Sequence, residues 1–497
     1  MALFGRSPSA MLTSWLCLIN RVVAGSTFLN AIAQTPVSES MIVGNGTCCA
    51  ALALSVNVSV SFPGSVPYDR SLASYWSLQE AEVRPSCIVT PSNRDEAALA
   101  IKTLGLGIKY GSEQCSFAVR SGGHTPWAGA ANIEAGVVVA LQKLNQVTVS
   151  VDEKTVQVGP GNRWGDVYRT LDSRGLAVLG GRLATVGVGG LVTGGGFSHF
   201  SPRYGFVCDT VDDFEIVLAS GAIVNANASV NSDLWRALRG GSNNFGIVTA
   251  FTMRSFKQEN YWGGLYSTTP YATNILNLIW QPATDSWITL QSPSYTKTQT
   301  NPPALIDFTS VPALVNTMRI SNSTDFANEL FSASGQRQLM ITATFRNSLP
   351  MLRAIHEIQL QMAPALRNIS GLQWSLSLQP QPSIMFKASA EAGDNSLGLD
   401  ESDGNLFNVL LTATWADKKD DPLVVSQTRR MFEQFEAKAE RLGVTNPYLY
   451  LNYAASWQDS INGYGAESKE FLQKVSSKYD PEGLFQKNVP GGFKLFK

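Results

Sequence analysis

The 42 glycines of this chain are unevenly spread, and that constrains its fold more than any other feature. Many fall between Gly122 and Gly246, in three stretches. Clustered glycine marks backbone that turns tightly or lies close against a ligand. The first stretch, Val119-Arg120-Ser121-Gly122-Gly123-His124-Thr125, follows a short apolar run. Its two glycines let backbone amides turn inward into a nest that can hold a pyrophosphate without a lysine. The second runs from Gly180 through Gly196, with side chains small enough for a flat ring or a phosphate to rest on the main chain. The third joins Asp209-Thr210-Val211 to Gly240-Gly241-Ser242-Asn243-Asn244-Phe245-Gly246-Ile247-Val248 and leads into a strand. Taken singly, each also has an ordinary reading: a polar histidine in a turn, or a set of tight turns and bulges.

Several chemistries are excluded. No strand–GxGxxG–helix unit with a correctly spaced acid is present, and no glycine run ends in Lys-Ser/Thr as a P-loop does. There is no GxSxG elbow. With three histidines, no HExxH and no CxxC, a metal centre is not expected. Net charge is −1 and no long basic run occurs, so neither nucleic acid nor an anionic membrane surface is expected as a partner.

A chain of 497 residues calls for two or three lobes. Residues 1–33 read as a signal peptide: Arg6 in front, an apolar stretch from Ala10 to Ile19, and Ala31-Ile32-Ala33 as the cleavage site, with Arg21 interrupting. A disordered tail or an anchoring helix are the alternatives. No later segment is long and apolar enough to span a bilayer. Cleavage removes Cys17 and leaves an odd number of cysteines, so one thiol stays unpaired or pairs between chains. The preferred bridge joins Cys48 or Cys49 to Cys87. Sequons at Asn45, Asn57, Asn227, Asn322 and Asn368 suit the secretory pathway.

Residues 40–75 form a lead-in ending in turns around Pro63, Gly64 and Pro67. From Pro85 to Lys257 the pattern is strand-rich: the apolar run Val137–Leu141, then alternation at Val147, Val149, Val151 and at Val156, Val158. Trp164, Val167, Tyr168 and Leu171 predict a helix capped by Asn162. A hairpin turns at Ser220-Gly221. Between 260 and 440 glycine thins, and helices are predicted over 351–361 and 428–442. After Pro447 the chain returns as a strand, 448–453, then a helix over 467–477.

In this order and spacing the three glycine stretches closely resemble the p-cresol-methylhydroxylase-type FAD-binding domain, and more narrowly the berberine-bridge-enzyme-like oxidases in their fungal form. Tyr75-Trp76-Ser77, Pro85-Ser86-Cys87-Ile88-Val89, Tyr450-Leu451-Asn452-Tyr453 and the ending Lys478–Gln486 share the likeness. It runs from about residue 45 to the C-terminus and is weakest between 260 and 440. The resemblance implies an α+β fold: a two-part FAD-binding domain (40–257, core 81–257), an inserted substrate domain of antiparallel sheet plus helices (258–444), and a C-terminal segment (445–497) returning to the first.

The resemblance further implies FAD bonded through its 8α-methyl carbon to His124, with the Arg120–Gly123 turn cradling the pyrophosphate. Relatives' second tether, a cysteine, is replaced here by Leu183, so a single link is expected, and Cys208 is structural. Besides Arg120, Ser121, Gly122, Gly123, His124 and Thr125, the expected cofactor contacts are Thr185, Val186, Gly187, Gly189, Gly190, Gly194, Gly195, Asp209, Val211, Asn244, Gly246, Ile247, Val248 and Asn452. Val186 stands where a valine accompanies oxidases, which implies reoxidation by dioxygen and release of hydrogen peroxide.

The implied substrate is a small organic metabolite that gives up hydride to flavin N5, as in fungal specialised metabolism. A carbohydrate oxidase or a non-redox cyclisation or binding scaffold are the alternatives, and a monomer is expected. Tyr261, Trp262, Tyr266 and Tyr271 would suit aromatic or sugar substrates. Tyr453 and Tyr450 are the candidate bases; on a strand they would face opposite sides, with Asn452 beside Tyr450. A phenol with a pKa of ~10 is a poor base at neutral pH without a nearby cation or hydrogen bond. Relatives often carry an aspartate where this chain has Ala455. His199 would stand near the flavin, where contact with substrate is the alternative, but is expected to be structural or solvent-facing, and His356 to lie on the surface.

Overall fold

The computed structural model describes residues 48–55, 60–263, 271–273, 275–329 and 333–497. The signal, Cys17, Asn45, Asn57 and Tyr266 lie outside the described residues.

Two sheets carry the glycine-rich half. The first orders its strands Val60–Ser61, Cys87–Val89, Val137–Ala140, Phe117–Arg120, and the last three run parallel. The residues of Val137–Ala140 are buried throughout, as a strand covered on both faces requires. The helix Arg94–Lys109 supplies the crossover, capped by the Asn93 side chain on the Glu96 amide at 2.9 Å. The second sheet is antiparallel, in the order Val147–Val149, Thr155–Val158, Ile247–Arg254, Val211–Val217, Ile223–Asn227. The predicted hairpin is there, with Gly221 at φ 77°. The predicted helix spans Trp164–Asp172 and buries Trp164, Val167, Tyr168 and Leu171. Its cap lies one residue later than expected, at Arg163, because the Asn162 amide is held by the Gln146 and Gly159 carbonyls. Within the lead-in, Val60–Ser61 pairs with Cys87–Val89 at the edge of the first sheet.

The other half is built on a six-stranded antiparallel sheet, ordered Ser286–Gln291, Leu276–Gln281, Gln373–Gln381, Leu406–Trp415, Arg337–Arg346, Thr445–Asn446. Strand alternation gives it two unlike faces. Trp374, Leu376 and Leu378, with Val409, Leu411 and Ala413, pack in a core with Val424, Met431, Phe432 and Phe435 of the helix Asp421–Leu442. The intervening residues of the same strands, among them Ser375, Ser377, Gln379, Thr412 and Thr414, face a cavity. The 428–442 prediction thus caught most of one long helix, and 351–361 lies within Leu349–Met362.

Bridges join Cys49 to Cys87, one of the two preferred pairings, and Cys48 to Cys115, which was not foreseen. Cys208 is buried and free; burial pushes its thiol well up, which suits a structural residue rather than a nucleophile. No helix among the described residues is long and apolar enough to cross a membrane, and none of their acidic, histidine and cysteine side chains cluster as metal ligands.

Candidate active site

The glycine stretches and the polar face of the six-stranded sheet enclose a cavity of about 590 Å³, within the range of small-molecule and cofactor sites. Ser121, Gly122, Gly123, His124 and Thr125 line it. So do Val186, Gly187, Gly189 and Gly190 from the second stretch, and Gly246, Ile247 and Val248 from the third. Tyr450, Asn452 and Tyr453 line it from the C-terminal segment.

Two backbones meet in its wall. A Cβ added to Gly122 would lie 2.5 Å from the Gly187 Cα, and one added to Gly187 would lie 2.5 Å from the Gly122 Cα and N. Ser121 ties the same contact, donating to the Pro160 carbonyl at 2.6 Å and accepting from the Gly189 amide at 3.1 Å. Arg163, unremarked in the sequence, clamps both turns by donating to the Gly122 carbonyl (3.3 Å) and to the Thr185 carbonyl. By contrast, an added Cβ at Gly190 would meet nothing within 4 Å and would stand in the cavity itself. A wall of bare main chain beside open space fits a flat ring system or a dinucleotide phosphate.

His124 stacks on Trp76 with ring centroids 4.3 Å apart and 12° between planes; its Nε2 lies 3.5 Å from the Thr185 hydroxyl. Burial, and then the Arg163 charge, push its pKa down to about 4, so at neutral pH the ring keeps a free lone pair. Leu183 lines the cavity; Cys208 does not.

Some expected contacts lie elsewhere. The Arg120 side chain turns away from the cavity to Ser71 and Ser74 (2.7–3.0 Å) and over the Tyr75 ring, so it braces the turn from behind. Asp209 is fully buried against Ser389, Asn395 and the Phe206 amide. Val211 packs in the core, and Asn244 holds the Gly241 and Phe493 carbonyls. Thr185, Gly194 and Gly195 also lie off the wall. Gly194 instead makes room for the Asn452 amide, 2.3 Å from where its Cβ would be. His199 bonds Ser294 at 2.9 Å away from the cavity, and His356 is exposed.

The strand expected over 448–453 is not formed. Leu451–Tyr453 is a single 3-10 turn, closed by the Tyr453 amide on the Tyr450 carbonyl at 2.9 Å. A turn does not alternate faces, so Tyr450 and Tyr453 meet edge to face at 4.6 Å, both on the cavity. Tyr450 accepts from Asn452 at 3.0 Å, and burial pushes its phenol well up. Tyr453 accepts from the Arg182 guanidinium at 2.8 Å, and the same Nη2 donates to Gln379 Oε1 at 2.6 Å. Arg182 and Gln379 were missed. Arg182 stood in a stretch read for its glycines; Gln379 lay in the region of weakest likeness, although Gln373, Ser375, Ser377 and Gln379 alternate with apolar residues in the sequence.

Glycine-lined main chain facing a polar sheet across one chamber defines the class, an FAD-binding oxidoreductase. Comparison with known proteins agrees: an FAD binding domain family matches residues 85–227. The chain is 37% identical over 474 residues to the FAD-dependent monooxygenase sdcF of Emericella nidulans, covering 90% of this chain and 98% of that one. It is 34% identical to the FAD-dependent monooxygenase drtC of Aspergillus calidoustus, covering 96% of each. Among solved structures, berberine bridge enzyme from Eschscholzia californica superposes with a TM-score of 0.72 at 17% identity (90% of this chain, 100% of that one). The carbohydrate oxidase from Microdochium nivale gives 0.73 at 16% (90% and 100%). The chain belongs to the same family of FAD-linked oxidoreductases as these fungal FAD-dependent monooxygenases, and its fold is that of berberine bridge enzyme.

Proposed function

We propose that this chain is an oxidase of a small organic metabolite, with FAD attached through a single covalent bond to His124. The observation that carries the reading is the His124 ring, stacked on Trp76 on the cavity wall beside the bare main chain of Gly122 and Gly187. Alkylation at a ring nitrogen requires the neutral form, and burial keeps the ring neutral. Leu183 offers no second nucleophile. The Ser121–Gly123 turn and the Gly187–Gly190 segment would hold the cofactor.

When bound, the flavin supplies a two-electron acceptor that dioxygen reoxidises, yielding hydrogen peroxide. The protein's own task is to position the substrate and take its proton. Tyr453 is the base: its oxygen accepts from the Arg182 guanidinium at 2.8 Å and its hydroxyl donates to Gln379 Oε1 at 3.4 Å, a chain along which a proton can leave, whereas burial opposes ionisation of Tyr450. Gln379 fixes the guanidinium, and Val186 leaves room for dioxygen. Acid-precipitated protein that stays yellow, with peroxide released on substrate addition, supports this; a colourless pellet refutes the tether.

The names of the fungal relatives favour a second reading, a monooxygenase that places one oxygen atom in the product. Isotopically heavy dioxygen separates the two, appearing in peroxide for the oxidase and in the product for the monooxygenase. The two disulfides, and Asn368 exposed as a glycan acceptor, support passage through the secretory pathway. Asn227 suits a glycan less well, because its amide is committed to Asp213 at 2.7 Å.

A further inference from the structure

The cavity's charge balance is lopsided. The strand Gln373–Gln381 turns Gln373, Ser375, Ser377 and Gln379 inward, and Thr412 and Thr414 stand on its neighbour. Every one of these groups is neutral. Among the described lining residues there is no aspartate or glutamate, and Arg182 is the one lysine or arginine. Arg182 makes no ion pair with any described residue; its Nη2 serves Gln379 and Tyr453, while its Nη1 and Nε make no hydrogen bond among the described residues. Its charge nevertheless reaches the neighbouring rings: it helps hold His199 low and opposes the rise at Tyr450. A guanidinium on the wall of an enclosed chamber loses water when a substrate enters, and that loss is offset only by an anion or strong acceptors. The neutral hydroxyls and amides around it supply hydrogen bonds without favouring a cation.

We propose that the substrate is an organic acid (a phenol, enol or carboxylic acid) whose ionised oxygen pairs with Arg182 at the Tyr453 end of the chamber, and that ammonium-bearing substrates are rejected. This rests on the reading of the cavity as the substrate chamber. The free Nη1 and Nε edge can engage an oxyanion while Nη2 keeps its hold on Tyr453, so one cation serves both the base and the bound anion. From Gln379 to Gln373, a spacing of six residues along an extended strand, the polar row spans about 20 Å, which leaves room for an elongated, oxygen-rich molecule.

The test titrates the holoenzyme by calorimetry and by flavin absorbance with benzoate, benzyl alcohol and benzylammonium, three probes of one shape and different charge. Benzoate is expected to bind at least about tenfold more tightly than benzyl alcohol, the difference between a charged and a neutral hydrogen-bond partner, and benzylammonium most weakly. Arg182→Gln should remove the benzoate preference and Arg182→Lys keep part of it, with flavin content and melting temperature as folding checks. Benzylammonium binding as well as benzoate overturns the proposal, and this comparison needs only the wild type. Unchanged benzoate affinity in a folded Arg182→Gln also overturns it. Loss of the covalent flavin would show separately in the protein's mass, leaving the calorimetric comparison intact.

Discussion

Alanine at Gly122 tests whether the close approach of the two glycine turns shapes the cofactor wall. The added methyl would lie 2.5 Å from the Gly187 Cα and 2.7 Å from its nitrogen. Ordinary contact begins at 3.4 Å, so the backbones must part by about 0.9 Å. Neither side can yield cheaply, because both partners are main chain, and Ser121 and Arg163 tie the two turns together. Overpacking of this kind costs about 1–3 kcal/mol, and here the strain moves His124 relative to Val186. Gly122→Ala should therefore lower the melting temperature by several degrees and reduce the fraction of protein carrying flavin. Gly190→Ala is the matched control: its methyl meets no protein atom within 4 Å, so it should spare the stability of the flavin-free protein while obstructing the cavity. Thermal denaturation and flavin absorbance read both effects. A Gly122→Ala protein with wild-type melting and full flavin content would refute the reasoning.

Further outcomes follow from other parts of the structure. Tyr453→Phe should lower kcat by about 100-fold or more with little change in KM, since it removes the proton acceptor, and Tyr450→Phe should cost much less; steady-state kinetics compares them. Reduction should cost up to about 4 kcal/mol per bridge, because the closed loops span 67 and 38 residues; melting with and without reductant measures this. Burial pushes His199 down from 6.5 to about 3, so between those values the unfolded chain binds more protons than the native state. Its contribution to stability is complete above pH 6.5 and is lost as pH falls toward 3; His199→Gln should flatten that slope by up to one proton in denaturant titrations.

What could be read from the sequence divides along a physical line. Gly122, Gly187 and Gly190 were legible because a missing side chain is itself the signal, whatever lies across from it. The helix Trp164–Asp172 and the hairpin at Gly221 were legible because their patterns are local. The Tyr448–Tyr453 segment misled: its aromatic, period-two pattern suits a strand, but a turn closed by one backbone bond better presents both tyrosines to the chamber. Asp209 and Asn244 sit within glycine-rich cofactor stretches yet spend their side chains on structure, which spacing alone cannot distinguish. The Arg182–Gln379 pair spans 197 residues, and the Cys48–Cys115 bridge competed with equally plausible pairings. Such long-range partners are decided by folding rather than by neighbouring sequence.

The covalent link at His124 is tested most directly by the intact mass of the purified protein measured beside that of His124→Ala. The prediction is a wild-type chain heavier than its polypeptide by one FAD and a variant without that increment. A wild-type mass equal to the bare polypeptide, or an adduct that survives in His124→Ala, would contradict it.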